Sequence, residues 1–153
     1  MFDIGAVTHV AHAVDDLDAV MQELGAALGL EWATVQQREM AISVAGEMAS
    51  TPIRFTYSRG NQPHIELIEG QPDTIWAPVL GLHHIGVWTD DLAGDAMKLS
   101  ESGLSEEVAG VSRSGRSPFG FTYHSSARGL RIELVDVASR PAFDRWLAGG
   151  ELA

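Results

Sequence analysis

Four residues have the types and spacing to do chemistry together: His9, Glu66, His84 and Glu133, separated by 57, 18 and 49 positions. Two imidazoles and two carboxylates form a nitrogen and oxygen donor set that suits a borderline divalent cation such as Zn, Ni, Co, Mn or Fe(II). Two anionic ligands would offset the charge of the ion, so it could sit in a partly buried cup without a large desolvation cost. One or two positions would stay open for water or for a bidentate substrate. Taken singly, each residue has a plainer reading: a strand glutamate on a half-exposed sheet faces solvent, and a strand histidine packs into a core.

Duplication ties the four together. Thr8-His9-Val10-Ala11-His12-Ala13-Val14-Asp15-Asp16-Leu17 returns 75 residues later around His84-Ile85-Gly86-Val87-Trp88-Thr89-Asp90-Asp91-Leu92. Phe55-Thr56-Tyr57 before Ile65-Glu66-Leu67 returns as Phe121-Thr122-Tyr123 before Ile132-Glu133-Leu134, with gaps of seven and eight residues. A repeat sets the architecture before any local reading does. Each copy reads as strand, helix and three strands, with one His early and one Glu late. If the copies face each other across a pseudo-twofold axis, the equivalent residues converge.

The elements that must position them follow from periodicity. Residues 8–14 alternate as a strand, with His9, Ala11 and Ala13 on one face. Asp15 or Asp16 caps a helix whose stripe is Leu17, Val20, Met21, Leu24 and Leu28, ended by Gly29. A second strand is expected over 31–43, a loop over 45–51, a strand over 52–57, a hairpin turn over 58–63 and a strand over 64–68. Residues 70–81 form the linker. The second copy gives a strand over 84–89, a helix with stripe Leu92, Ala96 and Leu99 ended by Gly103, a strand over 106–111, a Gly-, Ser- and Arg-rich loop over 111–118, and strands over 119–124 and 130–137. Pro141 opens a short last helix. The expected organisation is one domain over 1–153: module one at about 4–72, module two at about 82–138, and a C-terminal helix at about 141–148.

Bulk properties narrow the partners. With 10 basic and 21 acidic residues the chain carries a net charge of −11, which argues against nucleic acid or an anionic membrane as a partner. There is no cysteine, hence no disulfide framework and no thiolate metal site. No apolar run is long enough to span a bilayer, and the first residues do not read as a signal peptide. A cytoplasmic location is the expectation.

The duplicated pattern resembles the vicinal oxygen chelate superfamily, which includes glyoxalase I, methylmalonyl-CoA epimerase, extradiol dioxygenases and bleomycin-resistance proteins. The resemblance runs from Thr8 to Val137. Gly81-Leu82-His83-His84-Ile85 with Asp90-Asp91-Leu92, and Gly129-Leu130-Arg131-Ile132-Glu133-Leu134, look most like the epimerase branch. The resemblance implies an α+β fold of two βαβββ modules forming a curved, cup-shaped mixed sheet. It implies that His9, Glu66, His84 and Glu133 hold a divalent metal ion, within one chain or across a homodimer that buries open sheet edges. It also implies an isomerase or epimerase that removes a proton alpha to a carbonyl of a small carbonyl or thioester substrate, giving a metal-stabilised enolate.

Departures from the family pattern matter. Epimerases usually have Gln at the position of Glu66, whereas glyoxalase I has Glu. Ile53-Arg54-Phe55-Thr56-Tyr57 lacks the acid that serves epimerases as a base, which turns attention to Glu66 and Glu133 as proton carriers. Module two carries Ser125-Ser126-Ala127-Arg128-Gly129 instead of the glyoxalase Asp-Pro-Asp-Gly, which speaks against glutathione. The rival readings are a glyoxalase I-like lyase on another thiol adduct and a non-catalytic small-molecule binding or resistance protein. Secondary candidates for substrate contact are His64, Trp88 and Arg131, the last expected chiefly to pair with Glu133. His12 and His83 read as packing or surface residues, and Arg113 and Arg116 as residues of a solvated loop able to take an anion. The irregular stretches 44–52 and 110–118 are expected to shape the pocket.

Overall fold

A computed structural model describes residues 3–152. In β1 (Val7–Val14) the burial alternates, with His9, Ala11 and Ala13 buried. The Asp16 side chain accepts the Ala19 amide at 2.9 Å and caps α1 (Leu17–Leu28), and Gly29 at φ 68° ends that helix in the left-handed region. Next come β2 (Gln36–Val44), β3 (Glu47–Tyr57) and β4 (His64–Glu69). The second half repeats the order as β5 (His84–Thr89), α2 (Leu92–Glu101), β6 (Ser105–Gly110), β7 (Phe121–Ser125) and β8 (Arg131–Asp136). Asp91 caps α2 through the Gly94 amide at 3.1 Å. A single 3-10 turn (Val137–Ser139) leads into α3 (Arg140–Leu147).

Two local expectations are corrected. The strand expected over 31–43 is β2, shifted toward 36–44. The loop expected over 45–51 is a reversal at Ala45 and Gly46, after which β3 already runs, paired with β2 from Val44↔Glu47 to Gln36↔Phe55. Glu47 to Ser50 are exposed, so backbone pairing rather than a buried side-chain stripe holds this arm, and no alternation marks it in the sequence.

The strands close into a barrel in the order β1-β4-β3-β2-β6-β7-β8-β5. The β1–β4 and β5–β8 pairs are parallel and the others antiparallel. The sheet expected as a curved cup thus curves until β2 meets β6, and the two modules touch twice, at β1–β5 and β2–β6. Closure gives every strand a neighbour on each side, but β2 meets β6 only from Ile42–Val44 to Val108–Gly110.

The interior holds Ile42, Ile53, Phe55, Tyr57, Ile68, Trp76, Val108, Tyr123 and Trp146. On the outside, α2 buries Leu92, Ala96 and Leu99 beside Leu134. Of the α1 stripe Leu17 is buried, whereas Leu28 is 61% exposed. The helix α3 docks through Trp146, which is fully buried, packs edge-on against Phe55, Tyr57 and Phe143, and donates its Nε1 hydrogen to the Thr34 carbonyl at 2.9 Å.

Candidate metal centre

Strand register brings the four sequence-predicted residues together within one chain. β1 and β5 run antiparallel down the middle of the pseudo-symmetric pair, with Ala11 opposite His84 and Gly86 opposite His9. At Gly86 the small partner is required. A Cβ on Gly86 would collide with the His9 ring, so only glycine leaves that imidazole its place. Glu66 lies on β4 opposite Ala11, and Glu133 on β8 opposite Gly86. All four residues are buried.

Their ligand atoms lie within 4.8 Å of one another. His9 Nε2 is 2.9 Å from His84 Nε2, 3.3 Å from Glu66 Oε2 and 2.9 Å from Glu133 Oε2, and His84 Nε2 is 3.1 and 3.2 Å from the same two oxygens. Ligands about 2.1 Å from a cation and at right angles to each other stand about 3 Å apart. The five separations match that edge. Although so close to the ring nitrogens, Glu66 Oε2 and Glu133 Oε2 are buried and have no hydrogen-bond partner. The four donor atoms thus crowd one point, with His9 Nε2 and His84 Nε2 within hydrogen-bond reach of each other. Two buried carboxylates this close together need positive charge between them, which an imidazolium or a cation can supply. The residues present fit a divalent ion.

The electrostatics of the metal-free cluster agree. Burial pulls the His84 imidazole down, but Glu133 and Glu66 outweigh it and raise its pKa to about 9. Burial pushes the Glu133 carboxyl up, yet His84 and His9 hold it well below the usual carboxylate range.

Around the cluster stand groups the sequence reading did not assign to it. Tyr57 packs edge-on to His9 at 5.0 Å and Tyr123 to His84 at 4.8 Å, and burial pushes both phenols well above their ordinary pKa. They end the repeated Phe-Thr-Tyr triplets, so the repeat itself carried the signal. Trp76, from the linker, is buried over Tyr123 and lines a hollow of about 100 Å³ with Glu66 and Glu133.

His83 is corrected from a packing or surface residue to the partner of a candidate ligand. Its Nδ1 lies 2.8 Å from His84 Nδ1, and its Nε2 is 2.7 Å from the Ile75 carbonyl. One tautomer assignment satisfies both contacts with His84 Nε2 left free for the centre. His84 Nδ1–H donates to His83 Nδ1 and His83 Nε2–H donates to Ile75, which leaves the Arg131 Nη1 approach to Nε2 a contact between two donors rather than a hydrogen bond. Burial holds His83 neutral, lowering its pKa to about 4.

Arg131 is corrected too. It pairs with Glu107, at 2.6 Å from Nε and 3.2 Å from Nη2, rather than with Glu133, and touches His83 through Nη1 at 3.0 Å. Glu107 sits at a register shift between β6 and β7, which turns its side chain toward β8. His64, two residues before Glu66 on the same face, donates its Nδ1 hydrogen to the Ser58 carbonyl at 2.9 Å. It lines a side cleft of about 390 Å³ with Arg140 and Asp144. His12 contacts the Gly81 carbonyl at 2.7 Å, away from the centre.

A cavity of about 640 Å³ opens onto His9 and Glu133. Trp88 forms part of its wall, packed edge-on against Phe143 at 5.7 Å, with its indole N–H buried and unpartnered. Arg113, from the 110–118 stretch, lines the cavity, as does Arg38. The stretch 44–52 does not. Val44, Ala49, Ser50 and Thr51 border a separate hollow of about 430 Å³ beside Trp76.

Comparison with known proteins matches this fold. The structure resembles a methylmalonyl-CoA epimerase solved in complex with methylmalonyl-CoA and NH4+, at 20% identity and TM-score 0.57, over 86% of this chain and 93% of that one. It resembles the methylmalonyl-CoA epimerase from Mycobacterium tuberculosis at 20% identity and TM-score 0.61, over 94% and 97%. It also resembles a single-residue variant of the Streptomyces coelicolor methylmalonyl-CoA epimerase in complex with 2-nitronate-propionyl-CoA, at 19% identity and TM-score 0.55, over 86% and 96%. At these identities the likeness concerns the fold. No curated protein matches the sequence. The sequence pattern of the Glyoxalase/Bleomycin resistance protein/Dioxygenase superfamily matches residues 8–123. With that match over most of its length, and with two βαβββ units closing around one cluster, the chain belongs to the Glyoxalase/Bleomycin resistance protein/Dioxygenase superfamily.

Proposed function

We propose that the chain is a divalent-metal-dependent isomerase or epimerase that moves a proton on the carbon beside a carbonyl of a small thioester or carbonyl substrate. The observation that carries this reading is the convergence of two imidazoles and two unpartnered carboxylate oxygens from the two halves of a repeat. The likeness to epimerase structures supports it. His9, Glu66, His84 and Glu133 would hold the ion. When bound, it would supply positive charge beside the substrate carbonyl and so favour loss of the neighbouring proton.

The chain's own groups do the rest. The interior positions of β3 nearest the centre are Ile53, Phe55 and Tyr57, none of them an acid. Glu66 and Glu133 are the acids lining the cavities at the centre, so one of them accepts the proton. Returned to the opposite face of the same carbon, the proton completes an epimerisation; delivered to the next carbon, an isomerisation. Aromatic walls of Phe55, Trp88 and Phe143 keep the reacting carbon from bulk water.

The test is deuterium incorporation into a 2-methylmalonyl thioester in heavy water by cobalt-loaded protein. Exchange at the alpha carbon is expected. A fully loaded protein that gives no exchange above background would remove the epimerase. Glu at position 66 favours a second reading, a glyoxalase I-like lyase, which the isomerisation of a hemithioacetal made with a thiol other than glutathione would reveal.

A further inference from the structure

Resting on that reading of the floor, we propose that the 640 Å³ cavity takes a substrate whose far end is anionic, a carboxylate or a phosphate, received by Arg38 and Arg113. A cavity of this size suits a small molecule held at both ends. His9 and Glu133 mark the floor, and Phe55, Trp88, Phe121 and Phe143 make the walls apolar. Apart from the floor residues and Tyr57, the ionisable side chains lining the cavity are these two arginines.

Both are exposed side chains that stand where the cavity meets solvent. Along β2 the alternation puts Gln36, Arg38, Met40 and Ile42 on one face, and Met40 and Ile42 belong to the barrel interior. Arg38 thus occupies an inward-facing position where the barrel opens to solvent. Its guanidinium lies over the Phe55 ring at 5.8 Å and donates to Gln36 Oε1 at 2.9 Å and to the Leu152 carbonyl at 3.5 Å. Arg113 comes from the loop between β6 and β7, so the two cations reach the cavity from different elements.

Half of the 10 basic side chains are paired. Arg54, Arg59, Lys98, Arg131 and Arg140 each lie within salt-bridge reach of a carboxylate. Among the described residues, Arg38 and Arg113 do not, in a chain with 21 acids to choose from. Arg116, Arg128 and Arg145 share that trait but do not line the cavity. Partial desolvation lowers the Arg38 pKa from its ordinary value with no carboxylate opposing it. A guanidinium fork pairs in two-point fashion with a carboxylate or phosphate. The inferred substrate therefore has a metal-chelating head, an apolar middle and an anionic tail.

Alkyl hydroxamates supply a probe, because their two neighbouring oxygens chelate a divalent ion. A series of chain lengths ending in a carboxylate, a phosphate or a methyl ester is titrated into cobalt-loaded protein and followed by calorimetry and the cobalt absorption spectrum. At the best length one charged tail should bind about tenfold or more tighter than the ester. Which of the two wins identifies the anion. Arg38→Gln together with Arg113→Gln should bring the charged tail level with the ester while cobalt uptake is retained. Equal binding of charged and neutral tails by the wild type, or a preference that survives the double substitution, would overturn the inference and leave the metal reading standing. Failure of the ester itself to perturb the cobalt spectrum would remove the open chelating position of the proposed function and the tail inference with it.

Discussion

Replacing His83 separates a histidine that orients a ligand from one that merely fills space. In His83→Ala the His84 Nδ1–H loses its acceptor at 2.8 Å and the Ile75 carbonyl loses its donor at 2.7 Å, both inside the protein. Each buried group left unpaired costs about 1–3 kcal/mol, so the metal-free protein should lose about 2–6 kcal/mol of stability. With the tautomer and tilt of His84 no longer fixed, affinity for a divalent ion should fall about 10- to 100-fold. His83→Gln, whose amide offers both an acceptor and a donor, should recover part of each loss.

The pH dependence gives a sharper signature. The His83 pKa stands at about 4 in the folded state against 6.5 ordinarily. Between these values the unfolded chain binds a proton that the folded one refuses, so acid favours unfolding. The contribution is absent above the ordinary pKa and grows as pH falls toward 4. Over about 2.5 pH units, at about 1.4 kcal/mol each, it removes about 3 kcal/mol from the wild type. The variants lack it, so the stability gap between wild type and variant should be widest near neutrality and narrow as pH drops. Urea unfolding of metal-free protein across this range, with ion affinity from competition against a chelating dye, reads both effects. A gap that does not change with pH, or unchanged ion affinity in His83→Ala, would refute the reasoning.

Two further substitutions probe other supports of the site. Gly86→Ala should leave a folded barrel with His9 displaced, because the new methyl occupies its ring position; a stability loss of about 1–3 kcal/mol with ion binding severely weakened is expected, and intact ion affinity would contradict it. Trp146→Ala removes the anchor of α3 and should cost about 3–5 kcal/mol by denaturant unfolding while opening the aromatic wall to water; a cost under about 1 kcal/mol would show that α3 is held some other way.

The cluster itself was legible because duplication supplies what one strand cannot. His9 and His84 share a register, and two residues further along each copy stand the small residues Ala11 and Gly86 that face them, of which Gly86 is required by the His9 ring. The second ring of contacts was not legible, for identifiable reasons. His83 precedes β5, so strand alternation says nothing of where its ring goes. Arg131 meets Glu107 across an intervening strand and at a register shift, a pairing no spacing rule encodes. Trp76 lies in a linker whose path along β1 is set by backbone bonds from Gly70 to Val14 and from Val79 to Ala13. Tyr57 and Tyr123 stood in the repeated triplets, but only the pairings Tyr57↔Glu66 and Tyr123↔Glu133 reveal that they flank the centre. The barrel closure at β2–β6 rests on three residue pairs between modules, too few to leave a pattern in the sequence.

Metal content tests the central claim most directly. Protein prepared without chelator, equilibrated in turn with cobalt, nickel, zinc, manganese and ferrous ion and then gel-filtered, is assayed by mass spectrometry for ion per chain. One ion per chain is expected for at least one of these metals, since His9, Glu66, His84 and Glu133 converge within a single chain, and Glu66→Ala with Glu133→Ala should abolish it while the circular dichroism of the barrel persists. A wild-type chain that retains none of the five ions, or a double variant that retains its ion in full, would contradict the account.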